Sequence, residues 1–366
     1  MRVLYLSKAC VVGAYQRKLE ELASNPDIEL VAVVPPFWND SANRLPLERL
    51  HTQGYDLVVE EARFNGHFHC HYYPGLGRQL DRVRPDLVYV DEEPYNLATF
   101  HAVWLARRRG IATLFFTWQN LQRRYPPPFS WMEHYVFRWV RGAIAGNREA
   151  MAVLRAKRFA KPIHVIPQFG VDPQRYCPAE TEPQTRRAFT VGFAGRLVEE
   201  KGLLVLLDAV RRLAGDWRLR ILGRGPLEPT IRRTIRERGL GNNVSLEGTL
   251  PSGQMPGFYQ RLDVLVLPSL TRRNWKEQFG RVLIEAMACA VPVIGSDSGE
   301  ILHVIDDAGL IFPEGDANAL GAQLARLWAD AEERRVLGQR GRQRVLERFT
   351  HARVAQQTAE TFRRLR

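Results

Sequence analysis

The chain has 366 residues, enough for two domains of ordinary size, and 45% of them are hydrophobic against 25% charged, the balance of a globular protein. No apolar run reaches the roughly 18 residues that span a bilayer, and Cys10, Cys70, Cys177 and Cys289 stand too far apart for a CxxC zinc site or a disulfide framework. The net charge of +12 is spread over both halves and comes with no nucleic-acid motif, so phosphorylated small molecules or an anionic lipid surface explain it better than nucleic acid does.

The opening MRVLYLSKACVVGAYQ is short, broken by Lys8 and lacks a small-residue cleavage site. It reads as a first strand entering a turn, which sets the expectation of a cytoplasmic protein without a signal peptide. Further β-branched and apolar runs follow at ELVAVV, DLVVEE, DLVYVD and IATLFF, separated by stretches of helical pattern such as LERLHTQ and ATFHAVWLARRR. Such alternation predicts a parallel sheet covered on both faces by helices.

Within this half, His67, His69 and His71 alternate in FNGHFHCHYY and are expected to share one strand face. No fourth ligand or carboxylate partner accompanies them, so acceptor contact or a partly exposed strand is preferred to a metal site. Asp91, Glu92 and Glu93 follow DLVYV, which places them at the carboxyl rim of the sheet. There they suit an acceptor hydroxyl or a catalytic base, and equally an acidic helix start before Pro94. The segment FSWMEHYVFRWVRGA reads as a packed helix with its aromatics in the core; the alternative is an interfacial helix resting on anionic lipid.

Pro167, Pro173, Pro178 and Pro183 interrupt the pattern and mark a linker. The strand–helix series then restarts with FTVGFAG, RLRILG, NVSLEG, DVLVLPS and VPVIGSD. The expected architecture is two doubly wound, Rossmann-like parallel-sheet domains, residues 1–185 and 186–347. A terminal helix over 348–366 is expected to cross back and complete the first.

Two constellations in the second half carry chemistry. Gly195 ends a strand, and the loop after it holds Arg196 and Lys201 before a helix begins near Gly202. Strand-end loops face the ligand crevice in such folds, where a guanidinium fork and an ammonium can grip a diphosphate. Taken alone, the pair fits a solvated basic loop better. Further on, Leu283, Ala286, Met287 and Ala290 recur at helical spacing, so a helix starts near Phe279–Gly280, with Glu277 in the preceding loop and Glu285 in its first two turns. Gly280 lets amides approach an anion at that helix tip. Glu285 then suits ribose hydroxyls, or a helix-face salt bridge; Glu277 suits the sugar, or a dipole partner.

The Glu-x7-Glu pair of Glu277 and Glu285, with Phe279 and Gly280, resembles the signature of retaining family 4 glycosyltransferases of the GT-B fold. Gly195-Arg196…Lys201-Gly202 is similar to that family's diphosphate loop, Gly170-Val171-Asp172 to its linker triplet, and Leu222-Gly223-Arg224-Gly225-Pro226 to its strand-end turn. The resemblance implies that Arg196 and Lys201 neutralise the leaving diphosphate, that Glu277 holds the transferred sugar and Glu285 the ribose, and that Gly13 lies near the phosphates. It further implies that the two domains face a central cleft, residues 1–185 on the acceptor side and 186–347 on the donor side, with a UDP-, GDP- or ADP-sugar donor, no metal or other cofactor, and a hydroxyl acceptor: a polysaccharide, a lipid-linked saccharide or a small molecule.

The pattern departs from the family at Gln119 and Asn120, which stand where many relatives carry a His-Asp pair. They are acceptor-side candidates that cannot titrate. Arg224 replaces a frequent acidic residue. A nucleotide-sugar 2-epimerase of the same fold and a non-catalytic nucleotide-sugar-binding subunit are the alternatives. The expected partners are the donor and acceptor, with peripheral membrane contact as a further role for the first domain, no nucleic acid, and a monomer or homodimer.

Overall fold

The computed structural model describes residues 1–40, 43–180 and 188–366. Pro183 and the expected boundary at 185/186 lie outside them. Two compact units emerge, residues 1–170 with 351–366, and residues 171–350.

The first unit is built on strands β1 (Arg2–Leu6), β2 (Glu29–Val34), β5 (Asp56–Val59), β6 (Leu87–Val90), β7 (Ala112–Thr117), β8 (Gly142–Ala145) and β9 (Ile163–Val165), with a small hairpin of β3 (Phe37–Asp40) and β4 (Asn43–Pro46). Among the described residues the sheet order is β5-β2-β1-β6-β7-β8-β9, and every pairing in it is parallel. Helices α1 (Gly13–Ala23), α2 (Leu76–Val83), α3 (Leu97–Arg107), α4 (Phe129–Trp139) and α5 (Arg148–Ala156) connect the strands. Strands β1, β2 and β6 are buried almost throughout, as a sheet covered on both faces requires. One face packs Val3, Leu19, Leu30, Leu114 and Phe116 together with Val354, Ala359 and Phe362 of the terminal helix, so that helix completes this unit's core.

In the second unit, β10 (Phe189–Ala194), β11 (Trp217–Leu222), β12 (Val244–Leu246), β13 (Val264–Leu267), β14 (Val293–Ser296) and β15 (Leu310–Phe312) are ordered β12-β11-β10-β13-β14-β15, again all parallel. They alternate with α6 (Leu203–Val210), α7 (Glu228–Glu237), α8 (Met255–Tyr259), α9 (Arg281–Ala288), α10 (Ile301–Ile305), α11 (Ala317–Ala329) and α12 (Ala331–Arg348). The final helix α13 (His351–Leu365) returns to the first unit. Val171 donates its amide to the Phe349 carbonyl at 2.8 Å and bridges Thr350, so the chain enters and leaves this unit side by side.

Three expectations are corrected. The stretch LERLHTQ forms no helix: it follows the Pro46 end of β4, and side chains of α1 accept its amides. Leu50 and His51 donate to Gln16 Oε1 at 3.2 and 3.4 Å, and Gln53 to Glu20 Oε1 at 3.0 Å, which satisfies the backbone without helical bonding. The three histidines share no strand face. Residues 64–70 fold into turns around Gly66 (φ +93°), leaving His67 and His69 exposed and His71 buried. Third, the aromatics of α4 divide: Tyr135 and Phe137 pack against the core beside Met132 and Val136, as expected, while Trp131 and Trp139 are exposed.

Candidate functional site

In an open parallel sheet, ligands collect at the carboxyl ends of the strands, where the strand order reverses. In the second unit that point lies between β10 and β13, and the motif residues gather there.

The β10 end is shaped by close backbone crossing. Gly195 donates its amide to the Leu222 carbonyl at 2.9 Å, and Leu197 to the Arg224 carbonyl at 2.9 Å. Gly223 has φ +151°, and a Cβ there would stand 1.8 Å from the Gly195 carbonyl oxygen. Glycine is therefore required where the two strand ends touch. The chain then makes a 3₁₀ turn, Glu199–Lys201, and enters α6 through Gly202 in the left-handed region.

The β13 end carries the acidic pair. Lys201 Nζ donates to Glu277 Oε2 at 2.5 Å, and Ser269 Oγ donates to the same oxygen at 2.8 Å. The Lys201 ammonium also stands 5.1 Å from the Trp275 ring centroid. Glu300 donates its amide to the Glu277 carbonyl at 3.1 Å, so the loop after β14 fixes the backbone there. Gly280 (φ +79°) opens α9 at the residue expected from the apolar stripe; a Cβ there would press on Leu267 Cδ2 at 2.7 Å. Phe279 packs edge-on against Phe349 with centroids 5.7 Å apart.

Glu285, one turn into α9, is buried, and each of its oxygens accepts a hydrogen bond. Tyr259 donates its hydroxyl to Oε2 at 2.7 Å, and Arg281 donates Nε to Oε1 at 2.9 Å. Arg196, Gly195, Glu285, Tyr176, Arg224 and Arg281 line one cavity of about 360 Å³, which Thr249 and Leu250 bound as well. Arg196 and Glu285 thus share a cavity. Lys201 and Glu277 form an ion pair with each other, outside that lining but at the same edge of the sheet.

Sequence reasoning missed the supporting residues Tyr259, Ser269 and Arg281. Arg281 was accessible from its i,i+4 spacing to Glu285. Tyr259 and Ser269 had no local signal, since helix and strand packing alone bring them in.

The first-unit candidates are placed separately. Gly13 begins α1 and donates its amide to Glu48 Oε2 at 2.6 Å. Gln119 donates its side-chain Nε2 to the Leu121 carbonyl at 2.7 Å, and Asn120 its side-chain Nδ2 to Glu149 Oε2 at 3.2 Å, both just beyond β7. Asp91, Glu92 and Glu93 do follow β6 at the switch point beside β1, but they turn into the unit, where other side chains hold them.

Asp91 accepts from Ser7 Oγ at 2.7 Å and Gln168 Nε2 at 3.0 Å; burial raises its pKa, with Lys18 partly offsetting. Glu92 pairs with Lys8 and lies 3.5 Å from His71 Nε2. Burial opposes its charge, yet Lys8 and His71 overcome this and hold it at about 2. Glu93 accepts from Thr117 Oγ1 at 2.6 Å and the Trp118 amide at 2.8 Å, and burial pushes it up to about 7. His69 meets Asn96 at 3.0 Å. Among the described residues, no three or more His, Cys, Asp or Glu side chains are grouped to hold a metal ion, and all four cysteines are free.

Comparison with known proteins places these features. Residues 180–344 match the family described as glycosyl transferases group 1. The putative colanic acid biosynthesis glycosyltransferase WcaL of Escherichia coli K12 is 31% identical over 207 residues, covering 55% of this chain and 51% of WcaL. The α-maltose-1-phosphate synthase of Mycolicibacterium smegmatis is 30% identical over 226 residues, 56% of this chain and 57% of that enzyme. The chain therefore spans about half the length of the curated relatives it matches.

Solved structures match throughout. A sucrose-phosphate synthase from Thermosynechococcus elongatus superposes with TM-score 0.74 at 20% identity, covering 100% of this chain and 99% of that one. Anabaena HepE in complex with UDP gives TM-score 0.76 at 18% identity, with 100% of both chains covered. The fold is the GT-B fold of two Rossmann-like units, as the motifs implied.

Proposed function

We propose that this chain, whose residues 180–344 match the glycosyl transferases group 1 family, is a retaining glycosyltransferase that moves a sugar from a UDP-, GDP- or ADP-linked donor to a hydroxyl acceptor without a metal. One observation carries the reading. At the switch point of the second sheet, Arg196 and Glu285 line a single cavity, and Lys201 is held against Glu277 at the same strand edge.

The chemistry follows from where charge develops. Cleaving a glycosyl–phosphate bond puts negative charge on the leaving oxygen and positive charge on the anomeric carbon. Fixed cations and helix-tip amides aimed at the leaving group lower that barrier most. Arg196 and Lys201 supply the cations, and the Gly280 end of α9 supplies the amides. Glu285, oriented by Tyr259 and Arg281, accepts from the ribose hydroxyls. Glu277, held by Lys201 and Ser269, meets the hydroxyls of the transferred sugar. When a diphosphate enters, Lys201 is shared between it and Glu277, which couples donor binding to the position of the sugar-holding carboxylate.

Gln119 and Asn120 offer amide hydrogen bonds to an acceptor and no titrating base. The leaving phosphate then takes the acceptor proton on the same face as departure, which retains configuration.

The test is a panel of nucleotide sugars assayed for transfer and for slow hydrolysis in excess chelator, with the product anomer read by NMR. Turnover that survives chelation, keeps the donor's anomeric configuration and disappears in Glu277→Ala supports the reading. An inverted product, or strict dependence on added divalent metal, overturns it.

A further inference from the structure

A strongly basic surface lies on the first unit, around the paired helices α3 and α4. From residue 97 to residue 141 the chain holds seven arginines and a single acid, Glu133; one of the arginines, Arg109, is paired with Asp81 of the neighbouring α2. That acid is turned inward, where Lys157 donates to it at 2.6 Å, so it neutralises nothing outside.

The outer face has a helical rhythm. Trp104 and Arg107 stand at i and i+3 on α3 with Arg108 capping its end, and Trp131, Arg138 and Trp139 at i, i+7 and i+8 on α4. Trp131 is 69% exposed, and Trp104 and Trp139 are each 37% exposed. The arginines are arranged over the indoles: Arg107 lies 3.2 Å and Arg138 5.3 Å from the Trp139 ring centroid, and Arg108 lies 5.1 Å from that of Trp104. Among the described residues, Arg107, Arg108, Arg138 and Arg141 have no carboxylate partner. Neighbouring Lys161 reports the same excess: burial lowers its pKa, and Arg141 and Arg138 lower it further.

We propose that this α3–α4 face docks on an anionic lipid bilayer, with its tryptophans at headgroup depth and its arginines on the lipid phosphates. Indole rings, apolar in body with one polar N–H, favour that depth, and unpaired guanidinium groups beside them favour negative headgroups. Charge complementarity decides the occupant. A second copy apposed through the same patch would set arginine against arginine, whereas an anionic surface neutralises them all at once. The inference stands apart from the transfer chemistry, because docking needs no donor and engages none of the donor-site residues.

The experiment is sedimentation of the full chain with vesicles of phosphatidylcholine alone and of phosphatidylcholine with about one-third phosphatidylglycerol, the latter repeated across a salt series. The wild type is expected to sediment with the anionic vesicles at low salt, with a blue shift in tryptophan emission, and to leave the neutral ones in solution. The triple variant Arg108→Glu/Arg138→Glu/Arg141→Glu should partition at least about 100-fold more weakly, since each basic residue near such a surface counts for roughly a fivefold factor. Trp131→Ser, at an exposed position that any polar residue can fill, should reduce the blue shift of the docked face, to which Trp104 and Trp139 still contribute.

Equal binding to neutral vesicles, undiminished binding by the triple variant, or no binding of the wild type to anionic vesicles overturns the proposal. Capture of single-stranded RNA by this face while vesicles stay unbound overturns it too.

Discussion

Tyr259 donates its hydroxyl to Glu285 Oε2 at 2.7 Å, and both side chains are buried, although they lie 26 residues apart and on different helices. Arg281 takes the other carboxylate oxygen. Glu285 therefore presents its remaining lone pairs in a fixed direction toward the cavity that Arg196 shares. Tyr259→Phe removes that anchor at nearly constant volume. Losing one hydrogen bond to a charged group corresponds to about 1.5–3 kcal/mol, so the donor KM should rise about tenfold or more while kcat changes little. Steady-state kinetics with varied donor give the answer; an unchanged KM removes Tyr259 from the positioning of Glu285.

The proposed role of the Lys201–Glu277 pair in transfer can be separated from its role in stability. Its side chains are only 16% and 9% exposed, so Lys201→Ala leaves a nearly buried carboxylate without its cation. Such a break costs about 3–5 kcal/mol. The double variant Lys201→Met/Glu277→Leu, which replaces both charges by apolar groups of similar volume, should recover most of that stability and none of the transfer activity. Thermal unfolding and a transfer assay on the two variants decide the matter. A double variant that turns over would show the pair to be structural only.

Gly223 offers a conformational test. Its φ of +151° and the 1.8 Å approach of a Cβ to the Gly195 carbonyl leave no room for alanine between the β10 and β11 ends. Gly223→Ala should cost several times more stability than Gly239→Ala, where φ is +66° with nothing within 4 Å and the expected cost is about 1–2 kcal/mol. Comparable losses at the two positions would show that the strand ends separate easily.

Glu93 sets a pH dependence of defined sign. Burial raises it from an ordinary 4.5 to about 7. The folded unit therefore binds its proton more tightly than the unfolded chain does. Its contribution to stability is complete below pH 4.5, declines as pH rises toward 7 and is gone above that. Glu92, held at about 2, acts oppositely and only below pH 4.5. Between pH 5 and 8, denaturant titrations of the wild type should show a loss of about 2–3 kcal/mol that is absent in Glu93→Gln. Parallel pH profiles for the two proteins would place the ordinary pKa back on Glu93.

The fold was largely legible because buried parallel strands write themselves as unbroken apolar runs: β1, β2, β6, β10 and β13 stood out as such. The short strands β8, β9 and β15, of four, three and three residues, carry too little pattern to be seen. The LERLHTQ segment misled because its spacing suits a helix, while its amides find acceptors on Gln16 and Glu20, residues that no local pattern connects to it. The same limit applies at the site. Gly195, Arg196, Lys201, Glu277, Gly280 and Glu285 sit within two contiguous motifs and were found. Tyr259 and Ser269 reach the carboxylates only through tertiary packing. Alternation in the histidine run was mistaken for a strand, since turns around Gly66 can produce the same sequence period as a pleat.

Calorimetric titration of the wild type, Lys201→Ala and Glu285→Ala with UDP, GDP and ADP bears most directly on the placement of the donor. The wild type should bind at least one of the three. Lys201→Ala should lose affinity for that diphosphate while losing little for the matching nucleoside, and Glu285→Ala should lose affinity for both. Wild-type affinity retained in both variants, or no binding of any of the three by the wild type, would contradict a donor site at the carboxyl edge of the second sheet.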